Sequence, residues 1–200
     1  MRPRYFAKEN HDMRASARRA VLSAIVLTGA AVILPTASAA PSSGRSRFAG
    51  ALFGKSCLQA PPTFASVDRA ASSAGYQVFQ NRMIGAGAHQ KEWLVPIMPK
   101  AAPLLLSVIS GPSRNGASNI TVCGVSVLGA SGPGLQQALS ANPRLGRPRK
   151  IIAGPHGGTQ IYWPVAFGGA TKSPDAQVVL AYGLPGTQLD QIDLILQTPQ

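Results

Sequence analysis

The chain has 200 residues with 19 lysines and arginines against 7 aspartates and glutamates, so its formal net charge is +12. That length suits one domain with a real hydrophobic core. The low charged fraction of 13% and the 21 glycines and 17 prolines argue against a helical bundle and favour a loop-rich domain that contains strands.

Residues 1–39 have the three parts of a cleavable signal peptide. The first 19 residues carry six basic and two acidic side chains, an uncharged apolar run follows over 20–34, and Ala37 and Ala39 supply an A-x-A cleavage site. A membrane-spanning helix needs about 20 apolar residues, and this run is shorter. We therefore expect cleavage after Ala39, a periplasmic or secreted protein, and no transmembrane segment in the mature chain.

Two alternatives stay open in this segment. The pair Arg18-Arg19 partly matches a twin-arginine export signal, so the Sec and twin-arginine routes are both possible. Met13 offers a second translation start, which would shorten the basic region.

The mature chain keeps 13 basic and five acidic residues and both cysteines, Cys57 and Cys123. An even cysteine count in an oxidising compartment predicts a disulfide, with metal ligation or two reduced thiols as the alternatives. Closing the loop between them would stabilise the fold by about 4 kcal/mol on the chain-entropy model. Export and the lack of interleaved aromatic residues argue against a nucleic-acid partner.

Residues 40–47 lack hydrophobic periodicity and predict a flexible leader, followed by one domain over 48–200. Apolar positions at helical spacing, ended by Gly75, predict a first helix over 63–74. The glycine-containing run 83–91 is typical of a loop. Asn115-Gly116, between two strand-like runs, predicts a hairpin. The strand-like runs in this half cover 76–79, 93–95, 104–109 and 120–125.

A second helix is predicted over 134–141, with Pro133 close to its first turn. The run 189–196 fits a strand, although Leu189, Ile192 and Leu196 also fall at helical spacing. The remaining strand-like runs cover 151–152, 161–163 and 178–182.

Two possible halves, 63–127 and 131–197, thus share one order, a helix and then about four strands, with no visible residue-level repeat. The prediction is an α+β fold: a single domain with a mostly antiparallel sheet of about six to eight strands, two helices packed on one face, and one disulfide.

Motifs for catalysis are weak. The glycine-rich stretch 127–135 has the spacing G-x-x-G-x-G and a proline in place of an amide donor, so it predicts a strand-to-helix connection and no nucleotide or other cofactor. Ser126 and Ser131 both lack the fifth-position glycine of a nucleophile elbow. A serine hydrolase that uses either serine with His156 is the alternative function. The sequence predicts no metal site, and Asp190 and Asp193 are expected to be solvated.

Five aromatic residues could line a groove, but within strands they more often pack in the core: Trp93, Trp163, Tyr76, Tyr162 and Tyr182. One cationic feature stands out, a run of four basic residues in seven that predicts an exposed anion-binding loop, with a merely solvated loop as its alternative. Its members are Arg144, Arg147, Arg149 and Lys150.

From these patterns we expect an exported, non-enzymatic cell-envelope protein. Its partner would be an anionic envelope component or another exported protein.

Overall fold

A computed structural model of the chain describes residues 42–85, 87–97, 102–113, 116–153, 158–165, 167, 175–183 and 189–199. The predicted signal peptide lies outside these residues, as do Asn115 and His156.

Three helices and eight strands account for most of the described residues. The helices are α1 (Ser42–Cys57), α2 (Phe64–Ser73) and α3 (Gly132–Ser140). The strands are β1 (Gln77–Ile84), β2 (Ala88–Val95), β3 (Leu104–Pro112), β4 (Ser118–Leu128), β5 (Lys150–Ala153), β6 (Thr159–Pro164), β7 (Asp175–Tyr182) and β8 (Leu189–Pro199). The predicted α+β class is confirmed, with one helix more than expected.

All eight strands form one antiparallel sheet in the order β1-β2-β3-β4-β8-β7-β6-β5. Each half of the chain contributes a helix and then four successive strands, and the two halves join where β4 pairs with β8. The last strand of each half therefore lies at the centre of the sheet, and the first strand lies at an edge.

The strand register aligns one short segment of each half, and the two segments share several residues. The register partners of Gly124 on β4 continue through β3 to Glu92 on β2, and those of Asp193 on β8 continue through β7 to Tyr162 on β6. Glu92 and Tyr162 therefore occupy equivalent positions in the two halves. The segments around them align as Gln-x-Glu-Trp-x-Val over 90–95 and Gln-x-Tyr-Trp-x-Val over 160–165. Three of these six residues match, a likeness that becomes visible only once the pairing aligns the strands.

One face of the sheet, here called the helix face, carries the hydrophobic core. Alternate strand residues point to this face, and the ones at its centre are fully buried, which stabilises the fold by removing apolar area from water. Trp93 and Trp163 are both 0% exposed, so the core interpretation of these aromatics is correct. The other buried strand residues of this face include Leu104, Leu106, Val108, Val125, Val127, Ile161, Val178, Leu180, Ile192 and Leu194.

The predicted disulfide is confirmed and joins a helix to this face. Cys57 at the end of α1 is bonded to Cys123 on β4, with a Cα–Cα distance of 5.6 Å. The bond ties α1 to the middle of the sheet, beside the junction of the two halves.

Side-chain oxygens cap the helices that begin the two halves. Thr63 caps α2 in a capping box with Ser66, and Ser131 caps α3 by accepting a hydrogen bond from the Gly134 amide at 3.3 Å. Each cap satisfies an amide that has no partner inside its helix. The two caps are a further likeness between the halves.

The predicted leader over 40–47 is wrong from Ser42 onward, because α1 begins there. The helix contributes Ala49 and Phe53, both fully buried, together with the buried Ser46. A helix that buries small and polar residues has little hydrophobic periodicity, so its tertiary contacts stabilise a segment that the sequence pattern did not identify.

The predicted loop over 83–91 is also wrong. Most of this run belongs to β1 and β2, which form a hairpin with Gly85 and Gly87 at positive φ. Both glycines lie in the turn between the strands, where the backbone must be left-handed. The run 189–196 is a strand and not a helix, since β8 pairs with β4 on one side and with β7 on the other.

Candidate functional site

The structure places the two candidate nucleophiles in different surroundings. Ser131 is the cap of α3, and its backbone amide also donates to Ser46 Oγ at 3.3 Å. Ser126 lies on β4 and is half-buried, with Gln191 as its register partner. His89, the one histidine within the described ranges, stacks on Phe64 with the ring centroids 4.3 Å apart. The described residues thus bring no histidine to either serine, and His156 lies outside them.

The predicted anion-binding loop is divided between two roles. The Arg144 guanidinium donates hydrogen bonds to the carbonyls of Leu58 and Gln59, at 2.9 and 2.5 Å, and so ties this segment to the chain after α1. Arg147 and Arg149 are exposed, and Lys150 begins the edge strand β5. Arg144 therefore has a structural contact, whereas two other members of the predicted set face solvent.

The second face of the sheet, here called the open face, lies opposite the helices. The disulfide, the Phe64–His89 stack and the ion pair between Lys91 and Asp68, at 2.7 Å, all involve the helix face. No helix among the described residues packs on the open face. This face is thus the part of the sheet at which another molecule could contact side chains from all eight strands.

A single cross-strand row of residues crosses the open face. It spans seven interstrand spacings, about 34 Å at 4.8 Å each, and is mostly polar. In order from β1 to β5 the row consists of Gln80, Glu92, Ser107, Gly124, Asp193, Val179, Tyr162 and Lys150. We call this set the polar row.

Asp193 lies at the centre of the polar row, on β8, opposite Gly124 on β4. A Cβ atom on Gly124 would lie 2.2 Å from Asp193 Oδ1 and 3.2 Å from Ser107 Oγ. The carboxylate therefore occupies the space that any side chain at residue 124 would need. A glycine inside a strand commonly marks such a close approach.

The Asp193 carboxylate is buried although no described helix covers it. The residue is 6% exposed, and Gln191 donates a hydrogen bond to its Oδ1 at 3.1 Å. Desolvation raises the pKa of Asp193 to about 7, and the Gln191 hydrogen bond acts in the opposite direction. Among the described residues, no lysine, arginine or histidine forms an ion pair with it.

A buried carboxylate without a cation costs stability, because its charged form loses hydration that nothing replaces in full. Such costs are typical of functional sites. The position of Asp193, central on a face that none of the described helices covers, makes it the strongest candidate site residue in the described part of the chain.

Hydrogen bonds along the strands hold the polar row in place. Gln90 Nε2 donates to Glu92 Oε1 at 2.7 Å, and the Tyr162 hydroxyl donates to Gln160 Oε1 at 2.7 Å. Gln90 and Gln160 are equivalent residues of the two halves, and both are buried. In each half a buried glutamine thus holds one residue of the polar row, Gln90 as the donor to Glu92 and Gln160 as the acceptor from Tyr162.

The expectation that Asp190 and Asp193 are solvated is wrong. Asp190 is 8% exposed and lies on the helix face, where desolvation raises its pKa and a hydrogen bond from the Gly183 amide lowers it. Two signals in the sequence point to a special position: Gly124 within a strand-like run, and an aspartate between the apolar residues of 192–195. Neither shows that the two residues are opposite each other, because that depends on the pairing of β4 with β8.

Within the described ranges, no three histidine, cysteine, aspartate or glutamate side chains are close enough together to hold a metal ion. None of the described helices has an apolar stretch long enough to cross a membrane. Comparisons with protein-family models, with curated proteins and with solved structures found no match to this chain.

Proposed function

We propose that this chain is an exported, non-enzymatic cell-envelope protein that binds a protein partner on the open face of its sheet. The observation that carries the proposal is the polar row, which crosses all eight strands with Asp193 buried at its centre. The disulfide supports the export part, since such bonds persist in oxidising compartments.

The dimensions and composition of the open face favour a protein over a small molecule. The polar row is about 34 Å across, whereas a small ligand is usually enclosed in a pocket. The neighbouring row mixes polar residues with aliphatic ones such as Ile109, Val122 and Ile195. Such a mixture, with few charges at the centre, resembles the composition of protein–protein interfaces.

A non-enzymatic role is supported by what the candidate catalytic groups do. Ser131 is committed to a helix cap, and His89 is stacked on Phe64. Asp193 could act as an acid or base by its pKa alone, but the described residues supply no nucleophile with an activating base beside it.

Photo-crosslinking in the native cells tests the proposal. A benzoylphenylalanine is placed at Ile109 or Gln177, which lie on the open face in different halves, and at the exposed α2 residues Arg69 or Ser73 as matched controls. We expect one protein adduct of the same mass from both open-face positions and none from the controls. No adduct from the open face, or the same adducts from all four positions, would contradict the proposal.

The exposed guanidinium groups of Arg147 and Arg149 favour a second candidate, contact with an anionic envelope component. In that case, Arg147→Ala with Arg149→Ala would weaken retention on anionic vesicles, and the effect would shrink as salt rises. The double variant would leave the open-face adducts unchanged. Retention equal to that of the wild type would exclude the second candidate.

A further inference from the structure

We infer that Asp193 is the docking point for a positively charged side chain, a lysine or an arginine, of the protein that binds the open face. The inference rests on the proposed function and names the chemistry that the partner presents at the centre of the interface. Its basis is the geometry around Gly124 and the distribution of charge on the sheet.

The surroundings of the Asp193 carboxylate suit a cationic group. The carboxylate lies over Gly124 and beside Ser107, close to the centre of the sheet in both directions. The carboxylate fills the space over Gly124, so an incoming cation would have to reach it through the 6% of the residue that stays exposed. Ser107 Oγ and the carbonyl oxygen of the Gln191 amide are further acceptors near the carboxylate, and lysine and arginine carry several donors.

The carboxylates of the sheet and its helices differ in the partners that they have. Within the described residues, Asp68 already has Lys91 as its ion-pair partner, and Glu92 accepts from Gln90. Asp193 accepts from the neutral Gln191 and is more deeply buried than either of them. A cation from a partner would therefore compensate the more deeply buried of the two carboxylates that the polar row contains.

Asp193 also has the central position that the residues contributing most to binding usually occupy. Interface residues that contribute most to binding cluster near the centre and are enclosed by contacts that exclude water. Asp193 lies midway along the polar row, with half-buried side chains on both sides. An arginine or lysine seated there would form a desolvated charge pair, of the kind whose loss weakens binding most.

Binding of a cation and ionisation of Asp193 favour each other. The other titratable residues in the row are Glu92 three strands away on one side, and Tyr162 and Lys150 two and three strands away on the other. Because burial raises the pKa of Asp193 to about 7, affinity for a cation should be higher at pH 8 than at pH 6.

NMR of the exported, processed protein with ¹³C-labelled aspartate tests the inference. The probes are methylguanidinium and n-butylammonium, which mimic the two side chains, and urea is the neutral control. We expect both cations to shift the Asp193 carboxyl resonance and, at saturation, to lower its titration midpoint by about one pH unit or more. Urea should do neither.

Asp193→Asn should raise the Kd of both cations at least tenfold at pH 8. Asp190→Asn is the matched control, because Asp190 is also buried but lies on the helix face, and its Kd values should equal those of the wild type. A titration midpoint that saturating cation does not move, or equal affinity in Asp193→Asn, would overturn the inference.

The crosslinking experiment separates this inference from the proposed function. Adducts from residues 109 and 177 that persist at full yield in Asp193→Asn would keep the open face as the binding surface and overturn the docking role of Asp193. Absence of those adducts in the wild type would overturn the proposed function itself. Because asparagine keeps the shape of aspartate, the variant should fold, which circular dichroism checks.

Discussion

The two halves of the sheet match on the helix face and differ on the open face. On the helix face, Trp93 and Trp163 occupy equivalent, fully buried positions. At the centre of the open face, Gly124 of one half is opposite Asp193 of the other, although the register makes them equivalent. These core positions of the helix face thus hold the same residue in both halves. The centre of the open face combines a glycine with a buried carboxylate, which neither half provides alone.

Substitution of the two buried tryptophans should have the largest effect on stability. It tests whether the two halves pack alike on the helix face. Trp93→Ala and Trp163→Ala should each lower the free energy of unfolding by about 3–5 kcal/mol, because each leaves a cavity in the core. Urea denaturation of the two variants measures the losses. A large cost in one half with a negligible cost in the other would break the likeness on the helix face.

The pH dependence of the free energy of unfolding, compared between Asp193→Asn and the wild type, tests the effect of the carboxylate that only one half contributes. The unfolded-state pKa of aspartate lies near 3.8 and the folded-state pKa near 7, so between these values the folded protein holds a proton that the unfolded chain has lost. The free energy of unfolding of the wild type should therefore fall as pH rises from about 4 to 7, by up to about 1.4 kcal/mol per unit.

The asparagine variant should lack most of this slope and should be more stable than the wild type at pH 8, by up to about 4 kcal/mol. Urea unfolding at several pH values measures both curves. As a control, Asp68→Asn removes a partly exposed ion pair and should cost no more than about 1 kcal/mol. Parallel curves for Asp193→Asn and wild type would show that burial of Asp193 carries no cost.

Gly124→Ala tests whether residue 124 and Asp193 compete for the same space at the centre of the open face. Its Cβ would lie 2.2 Å from Asp193 Oδ1, so the carboxylate must move, and we expect a loss of about 1–3 kcal/mol. In an Asp193→Ala background the same change should cost little, and the double-mutant cycle should give a coupling of similar size. Additive effects would mean that the two residues do not share the space.

The smallest expected effects concern the caps. Thr63→Ala and Ser131→Ala should each destabilise the protein by about 1 kcal/mol, as measured by thermal unfolding. The folded wild type should not react with a fluorophosphonate probe, since Ser131 is a cap. Labelling that is lost in His156→Ala would instead support the serine hydrolase.

Features that depend on local sequence could be predicted well. The helix beginning after Thr63, the hairpin at Gly116 and the class of the fold follow from capping, turn and alternation patterns. The disulfide follows from an even cysteine count in a chain that the sequence predicts to be exported. Helix α1 could not be predicted, because its buried face mixes Ser46 and Ala49 with apolar residues such as Phe53, and contacts with the rest of the fold stabilise it.

The sequence by itself thus determined the cysteine pair and the kinds of elements, and it predicts an export signal, since these depend on neighbouring residues or on composition. Only the tertiary structure decided that Asp193 is buried over Gly124, and that Gln90 and Gln160 are equivalent. The physical reason is that strand register places residues far apart in the chain within contact distance, and β4 and β8 are separated by three other strands in sequence. The candidate site depends on that pairing.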